Sequence, residues 1–163
     1  MKTSVVIYPL VCRTEYGDWL PKYLRVEDDG SFITRNTNSK DLPSIKELVS
    51  DVAEKVFGER ISERYRRAQI KFIQFAETFR GEEFLSMIVF IEENPEAIPG
   101  YLVPIERFEE INWGRRGPNS GDLPVIDRNG KVVRIPEKFL ASIAKMIQNG
   151  IRGPDWSQAA YYD

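Results

Sequence analysis

The stretch QIKFIQFAETFRGEEFLSMIVFIE, residues 69–92, decides how the rest of the chain is read. Its first part, Gln69–Phe75, is rich in β-branched and aromatic side chains, which fit a pleated, half-buried surface. Arg80-Gly81-Glu82-Glu83 then supplies a turn, and Phe84–Glu92 carries the clearest strand pattern in the chain. The spacing predicts a β-hairpin. The residues just before it, from Glu59 to Ala68, suit the continuation of a helix at their start.

Upstream, Ser4–Cys12 (SVVIYPLVC) reads as a buried strand, Glu15–Pro21 as a connection and Lys22–Val26 as a second strand. Glu27–Ser31 (EDDGS) has the Asp-Gly signature of a tight hairpin turn leading into Phe32–Arg35. After a polar loop, Ser44 followed by Glu47 forms a capping box with Ser44 as N-cap. Ile45, Leu48, Val49, Val52 and Val56 recur at helical spacing, and Gly58 closes the helix. Downstream, residues 93–100 form a loop with two prolines, and residues 101–111 start extended and end as a short helix near Ile105–Ile111. Residues 112–124 are a polar Gly/Pro loop, and Val125–Ile135 is a hairpin about Asn129-Gly130. Pro136 opens a closing helix whose apolar face is Phe139, Leu140, Ile143, Met146 and Ile147. Residues 1–152 thus read as a single globular α+β domain, a mixed β-sheet sandwiched between helices. Residues 153–163 read as an aromatic, aperiodic tail that docks on the surface or frays.

The composition excludes much. With 163 residues, 42% hydrophobic and 29% charged, the chain can bury a core as one domain. A net charge of −2 offers no global field for nucleic acid or an anionic membrane. No apolar run approaches the roughly 20 residues that span a bilayer, and the N-terminal run is interrupted by Pro9 and lacks a cleavage site. The expectation is a cytoplasmic protein with no membrane contact. Cys12, the single cysteine, excludes an internal disulfide and reads as a buried inert thiol. There is no histidine, which removes histidine bases, Ser-His and Cys-His pairs and the usual zinc sites. Catalysis would have to come from carboxylates, Lys, Tyr or an oxygen-ligated metal.

Two constellations carry chemistry. At about 100° per residue, Glu47, Asp51 and Glu54 fall within about 60° of one another, opposite the valine stripe. They are candidate ligands for Mg²⁺, with Glu47 and Asp51 the candidate catalytic pair. Equally, acids opposite a core stripe are what any solvent-facing helix shows. The second constellation is Arg66 and Arg67 in RYRRAQIK, together with Trp113, Arg115 and Arg116 in NWGRRGP. A tryptophan beside arginines in a glycine-rich loop suits stacking of a base and pairing with phosphate. Its plain alternative is a solvated basic surface with Trp113 closing the core edge. The run Glu27-Asp28-Asp29 lacks the spacing of a calcium loop, and a turn explains it.

The layout of a three-strand start, an acid-bearing helix, a long hairpin, Pro104–Ile111 and a closing helix resembles the Nudix fold over most of the chain. Setting Lys46-Glu47-Leu48 on the Arg-Glu-hydrophobic part of the Nudix box puts Asp51 on the second glutamate of the following pair. Ser50 stands at the first, Ala53 at the closing glycine, Asn38 at the early glutamate and Phe32 at the opening glycine. The resemblance implies a domain that binds a nucleotide or other phosphorylated small molecule, with Mg²⁺-dependent hydrolysis of a phosphoanhydride in its active members. Because the box is degenerate, binding without turnover stands beside hydrolysis. Two other classes remain open: a non-enzymatic inhibitor, immunity or adaptor protein with a protein partner or as a homodimer, and a single-stranded nucleic-acid binder.

Overall fold

The computed structural model describes residues 3–16, 18–38, 41–57, 70–116, 120–149 and 160–162. Strand β1 (Thr3–Glu15) is the axis of the sheet. Its alternate residues are apolar on both sides: Val5, Ile7 and Val11 enter one core, while Val6, Tyr8, Leu10 and Cys12 enter another. A strand buried on both faces reads as a continuous apolar run, as Ser4–Cys12 does. Along one side β1 pairs in parallel with β5 (Glu82–Glu92), from Ser4 opposite Phe84 to Cys12 opposite Glu92. Strand β4 (Ile70–Phe79) is the antiparallel partner of β5, joined by the two-residue loop Arg80-Gly81, so the predicted hairpin is present.

Along its other side β1 receives two strands in succession, both antiparallel: β2 (Asp18–Val26) beside its C-terminal half and β3 (Ile33–Thr37) beside its N-terminal half. This corrects the hairpin expected at Glu27–Ser31. The turn itself forms, with the Glu27 amide donating to the Ser31 carbonyl at 3.0 Å and Gly30 at φ 85°. The strands it joins pair with β1 rather than with each other, because the excursion returns the chain to the same edge of β1. β6 (Tyr101–Pro104) adds outside β2, and β9 (Ala160–Tyr162) adds outside β4. The order is β6-β2-β1-β5-β4-β9, with β3 on β1. Three residues of the C-terminal tail therefore belong to the sheet.

Helices cover both faces, giving a mixed sheet between helices. On one face lies α1 (Leu42–Phe57), whose Val49, Val52, Ala53 and Val56 are buried with Ile7, Met87 and Val89. Each fully buried aliphatic side chain of this kind contributes about 1.5–3 kcal/mol. The helix starts at Leu42, three residues before the start that Ser44 as N-cap would give. Asp41 is the cap: its carboxylate accepts from the Ser44 amide at 2.9 Å and from the Ser44 hydroxyl at 3.0 Å. Ser44 thus sits at the third helical position and Glu47 is no part of a capping box.

The opposite face carries α2 (Ile105–Glu109), the ribbon of β7 (Leu123–Ile126) and β8 (Val132–Ile135), and α3 (Leu140–Gln148). A 3-10 turn, Glu137–Phe139, leads into α3. Leu123, Val125, Val133 and Ile135 alternate inward along the ribbon and pack with Phe108, Leu140, Ile143 and Met146. The ribbon closes over Asp127–Lys131 as expected for Asn-Gly, and the Arg128 amide donates to Leu102 of β6 at 2.8 Å. That bond covers part of the edge that β6 would otherwise expose. No helix among the described residues is long and apolar enough to cross a membrane.

Candidate functional site

A cleft of about 400 Å³ lies beside α3, lined by the end of β4 with its turn, the Trp113–Arg116 segment, Ser120, Glu137 and α3 itself. Its floor is apolar, formed by Leu140, Ala141 and Ala144 of α3, with Phe79 and Trp113 as aromatic walls. Small residues at 141 and 144 leave the volume that larger side chains on this helix face would fill. Among the described residues of its lining the charged groups are Arg80, Arg116 and Glu137. A pocket of this size with an apolar lining and a few polar groups is the ordinary form of a small-molecule site.

Each group has a structural reason for its position. Trp113 begins a single 3-10 turn, Trp113–Arg115, in the loop after α2. Its indole N–H donates to the Phe108 carbonyl at 3.0 Å, and its ring packs on the core edge. That bond holds the indole in place where Trp113 lines the cleft. Arg116 is half-buried and donates from Nη2 to the Gly121 carbonyl at 2.9 Å, and its other guanidinium N–H groups make no hydrogen bond to the described residues. Arg80 lies over the Phe79 ring, 5.0 Å from its centroid, and its Nη2 is 3.7 Å from Glu137 Oε1.

The two constellations expected from the sequence lie apart. Trp113 and Arg116 line the cleft, whereas Arg115 is exposed and lies outside the lining. Arg66 and Arg67 fall outside the described residues. Glu47, Asp51 and Glu54 are exposed on α1, turned away from Val49, Val52 and Val56. The seven-stranded sheet separates them from Trp113, which packs in the core of the other face. Along the helix Glu47 and Glu54 differ by about 10 Å of rise, so one ion can meet at most two neighbouring carboxylates of the three. Among the described residues no group of three or more Cys, Asp or Glu is arranged to hold a metal ion. These carboxylates therefore form no three-ligand cluster, and at most a neighbouring pair could share one ion, together with water.

Arg80 and Glu137 escaped sequence reading. The one signal was an arginine ahead of glycine in a tight hairpin loop, where asparagine is the usual residue.

Two other depressions are less suited to a ligand. One of about 30 Å³ beside Tyr8 and Ser142 has room for about one water. The Tyr8 hydroxyl there lies among buried hydroxyls, with Ser86 and Ser142 2.9 Å apart. Burial pushes the Tyr8 phenol up from its ordinary value, partly offset by hydrogen bonds to Ser142 and Ser86. The other, about 610 Å³, lies at the C-terminal ends of β1 and β5 between Arg13 and Lys22 on one side and Glu92 and Glu93 on the other. Its aromatic, Tyr23, is already covered by the Arg128 guanidinium at 5.4 Å. Cys12 at its base is a buried thiol whose Sγ contacts the Leu10 carbonyl at 3.5 Å, and burial pushes its acidity well down. Comparison with family models, with curated proteins and with solved structures finds no match.

Proposed function

We propose that the chain binds a small anionic, ring-bearing molecule of the nucleotide or phosphorylated-metabolite class in the cleft beside α3, and that it acts by binding rather than by turnover. The observation that carries this reading is the convergence of Trp113, held by its indole hydrogen bond, and the half-buried guanidinium of Arg116 on a largely apolar cavity of about 400 Å³. The ring gives a stacking surface, and the guanidinium gives planar recognition of a phosphoryl group in a partly desolvated setting. The Nudix-like element order supports a phosphorylated ligand. Hydrolysis in that family works through carboxylate-bound metal at the scissile phosphate, and the candidate carboxylates here occupy the other side of the sheet.

The test is thermal unfolding of the full chain with ADP and with inorganic pyrophosphate, each with and without Mg²⁺. At a hundredfold excess over Kd a ligand of the native state contributes about 2.7 kcal/mol, enough to raise Tm by roughly 5–10 °C. ADP is expected to raise Tm without need of Mg²⁺, and Trp113→Ala to abolish the shift. No shift with millimolar ADP would overturn the reading.

One observation favours a contact protein as a second reading. Ile126 and Val132, paired across the ribbon, are 44% and 59% exposed. A homodimer through this face would sediment as a dimer and would revert to monomer in Val132→Lys.

A further inference from the structure

The β4–β5 loop is two residues long, with Phe79 opposite Glu82, and both loop residues lie at positive φ: Arg80 at 50° and Gly81 at 81°. A loop of this type favours Asn-Gly or Gly-Gly, because the left-handed region brings Cβ against the backbone of any other residue. Arg80 therefore holds a conformation that its own side chain opposes. A strained residue of this kind is a reason to ask what its side chain does. The side chain of Arg80 stands on the wall of the cleft, over Phe79 and facing Glu137. At 3.7 Å its ion pair with Glu137 is too long for a hydrogen bond, and Glu137 Oε1, although buried, accepts none. A largely exposed cation and a mostly buried anion thus face one another without a hydrogen bond between them, and the buried oxygen is left at a cost.

We infer that Arg80 is a further ligand-binding residue of the cleft, held ready by Glu137 and transferred to the anionic group of the ligand when it enters. The inference rests on the reading of the cleft given above and names the charge class it selects. Of the described charged side chains lining the cleft, Arg80 and Arg116 oppose Glu137, which leaves one net positive charge among them. A monoanion such as a carboxylate is balanced by Arg116 alone. A phosphoryl group of nearly two negative charges needs the second guanidinium, and offers it oxygens in the fork geometry that Glu137 does not supply. Glu137 is then the competitor that a ligand must displace, and weakly charged anions do not displace it.

The experiment compares the wild-type chain with Arg80→Asn, Glu137→Gln and Tyr16→Asn, by thermal melting without ligand and by calorimetric titration with ADP, inorganic pyrophosphate and acetate. Tyr16, at φ 53° in the connection between Glu15 and Asp18, is the control, since it shares the strain and does not line the cleft. Both asparagine variants are expected to melt roughly 2 °C above wild type, because asparagine enters the left-handed region more readily. Arg80→Asn should bind ADP and pyrophosphate about tenfold more weakly, as expected for loss of one charged hydrogen-bonding partner. Tyr16→Asn should bind both as wild type does, and Glu137→Gln should bind both several-fold more tightly and gain measurable affinity for acetate. An Arg80→Asn chain that melts no higher than wild type overturns the argument from strain. One that binds both probes as wild type does overturns the role of Arg80 while the cleft reading stands. Weaker or unchanged binding in Glu137→Gln overturns the competition. A wild-type chain that binds neither ADP nor pyrophosphate overturns both readings together.

Discussion

Two glycines in equivalent turns give a sharp test of how the layer over the cleft is held. Glu27–Ser31 and Asp127–Lys131 close in the same way: the first residue's amide donates to the fifth residue's carbonyl, and the glycine amide donates back to the first residue. The glycines also share a conformation, with φ of 85° at Gly30 and 86° at Gly130. They differ in surroundings. A Cβ added at Gly30 would lie 1.8 Å from the Arg134 carbonyl oxygen of β8, whereas at Gly130 it would meet nothing within 4 Å. Alanine at either site pays the left-handed strain of about 1–2 kcal/mol, and both gain the same small unfolded-state term, which cancels in the comparison. At Gly30 the backbone of β8 must also retreat by more than an ångström, and overpacking of that kind adds about 1–3 kcal/mol. The expectation is about 3–5 kcal/mol for Gly30→Ala against about 1–2 kcal/mol for Gly130→Ala. In urea unfolding, with m of about 2 kcal/mol/M, the midpoints should differ by roughly 1 M at unchanged m. Because β8 runs directly into Pro136 and Glu137, Gly30→Ala should also weaken ADP binding, and Gly130→Ala should not. Equal midpoints would refute the reasoning, since the only difference invoked is the contact with Arg134.

Asp41→Ala should cost about 1 kcal/mol through loss of the cap on α1, and more than Ser44→Ala; the reverse order in urea unfolding would return the cap to Ser44. Ser142→Ala should cost about 1–3 kcal/mol in the same assay, because it leaves buried hydroxyls of Tyr8 and Ser86 short of a partner. Stability should fall in alkali. The Cys12 thiol and Tyr8 phenol have folded values raised by burial, so their contribution is complete below the unfolded values, about 8.5 and 10, and declines as pH rises above them. Each proton that only the unfolded chain releases costs about 1.4 kcal/mol per pH unit, and Cys12→Ala should flatten the decline between pH 9 and 10. Glu47→Gln with Asp51→Asn should change stability by less than about 0.5 kcal/mol and leave ADP affinity as it was, measured by melting and titration.

Legibility followed how local the determining physics was. The hairpin of Ile70–Glu92, the valine stripe of α1 and the Asn129-Gly130 ribbon are set by periodicity and turn chemistry within about ten residues, and all three are present, the first with Glu82 and Glu83 in its second strand rather than in its turn. The start of α1 was misread by a competition between two good caps. Asp41 and Ser44 both satisfy the sequence rule, and only the coordinates show that Ser44 donates to Asp41. The pairing of β3 was hidden because Asp-Gly specifies a turn, not the strand that the chain meets after it. Trp113 and Arg116 were visible as a chemical pair in one loop, but Arg80 and Glu137 come from segments more than 50 positions apart and meet only through the sheet and α3. No pattern along the chain carries that contact.

The same sheet decides what the acid stripe and the cleft can do for each other. A helix packs roughly 10 Å from a sheet, so side chains on the outside of α1 and groups beside α3 are separated by roughly 20 Å or more. At physiological ionic strength the screening length is about 8 Å, and exposed charges at such a distance neither attract nor repel measurably. Glu47, Asp51 and Glu54 therefore cannot tune Arg80 or Arg116 from where they stand, and a phosphoryl group held by those arginines is out of their reach. For hydrolysis to join binding in this chain, the ligand would have to leave the cleft or α1 would have to leave its valines. The second course exposes Val49, Val52 and Val56, whose burial is worth several kcal/mol together, a large part of what holds a domain of this size folded. On the proposed reading, the layer order itself keeps the α1 carboxylates away from a ligand held in the cleft.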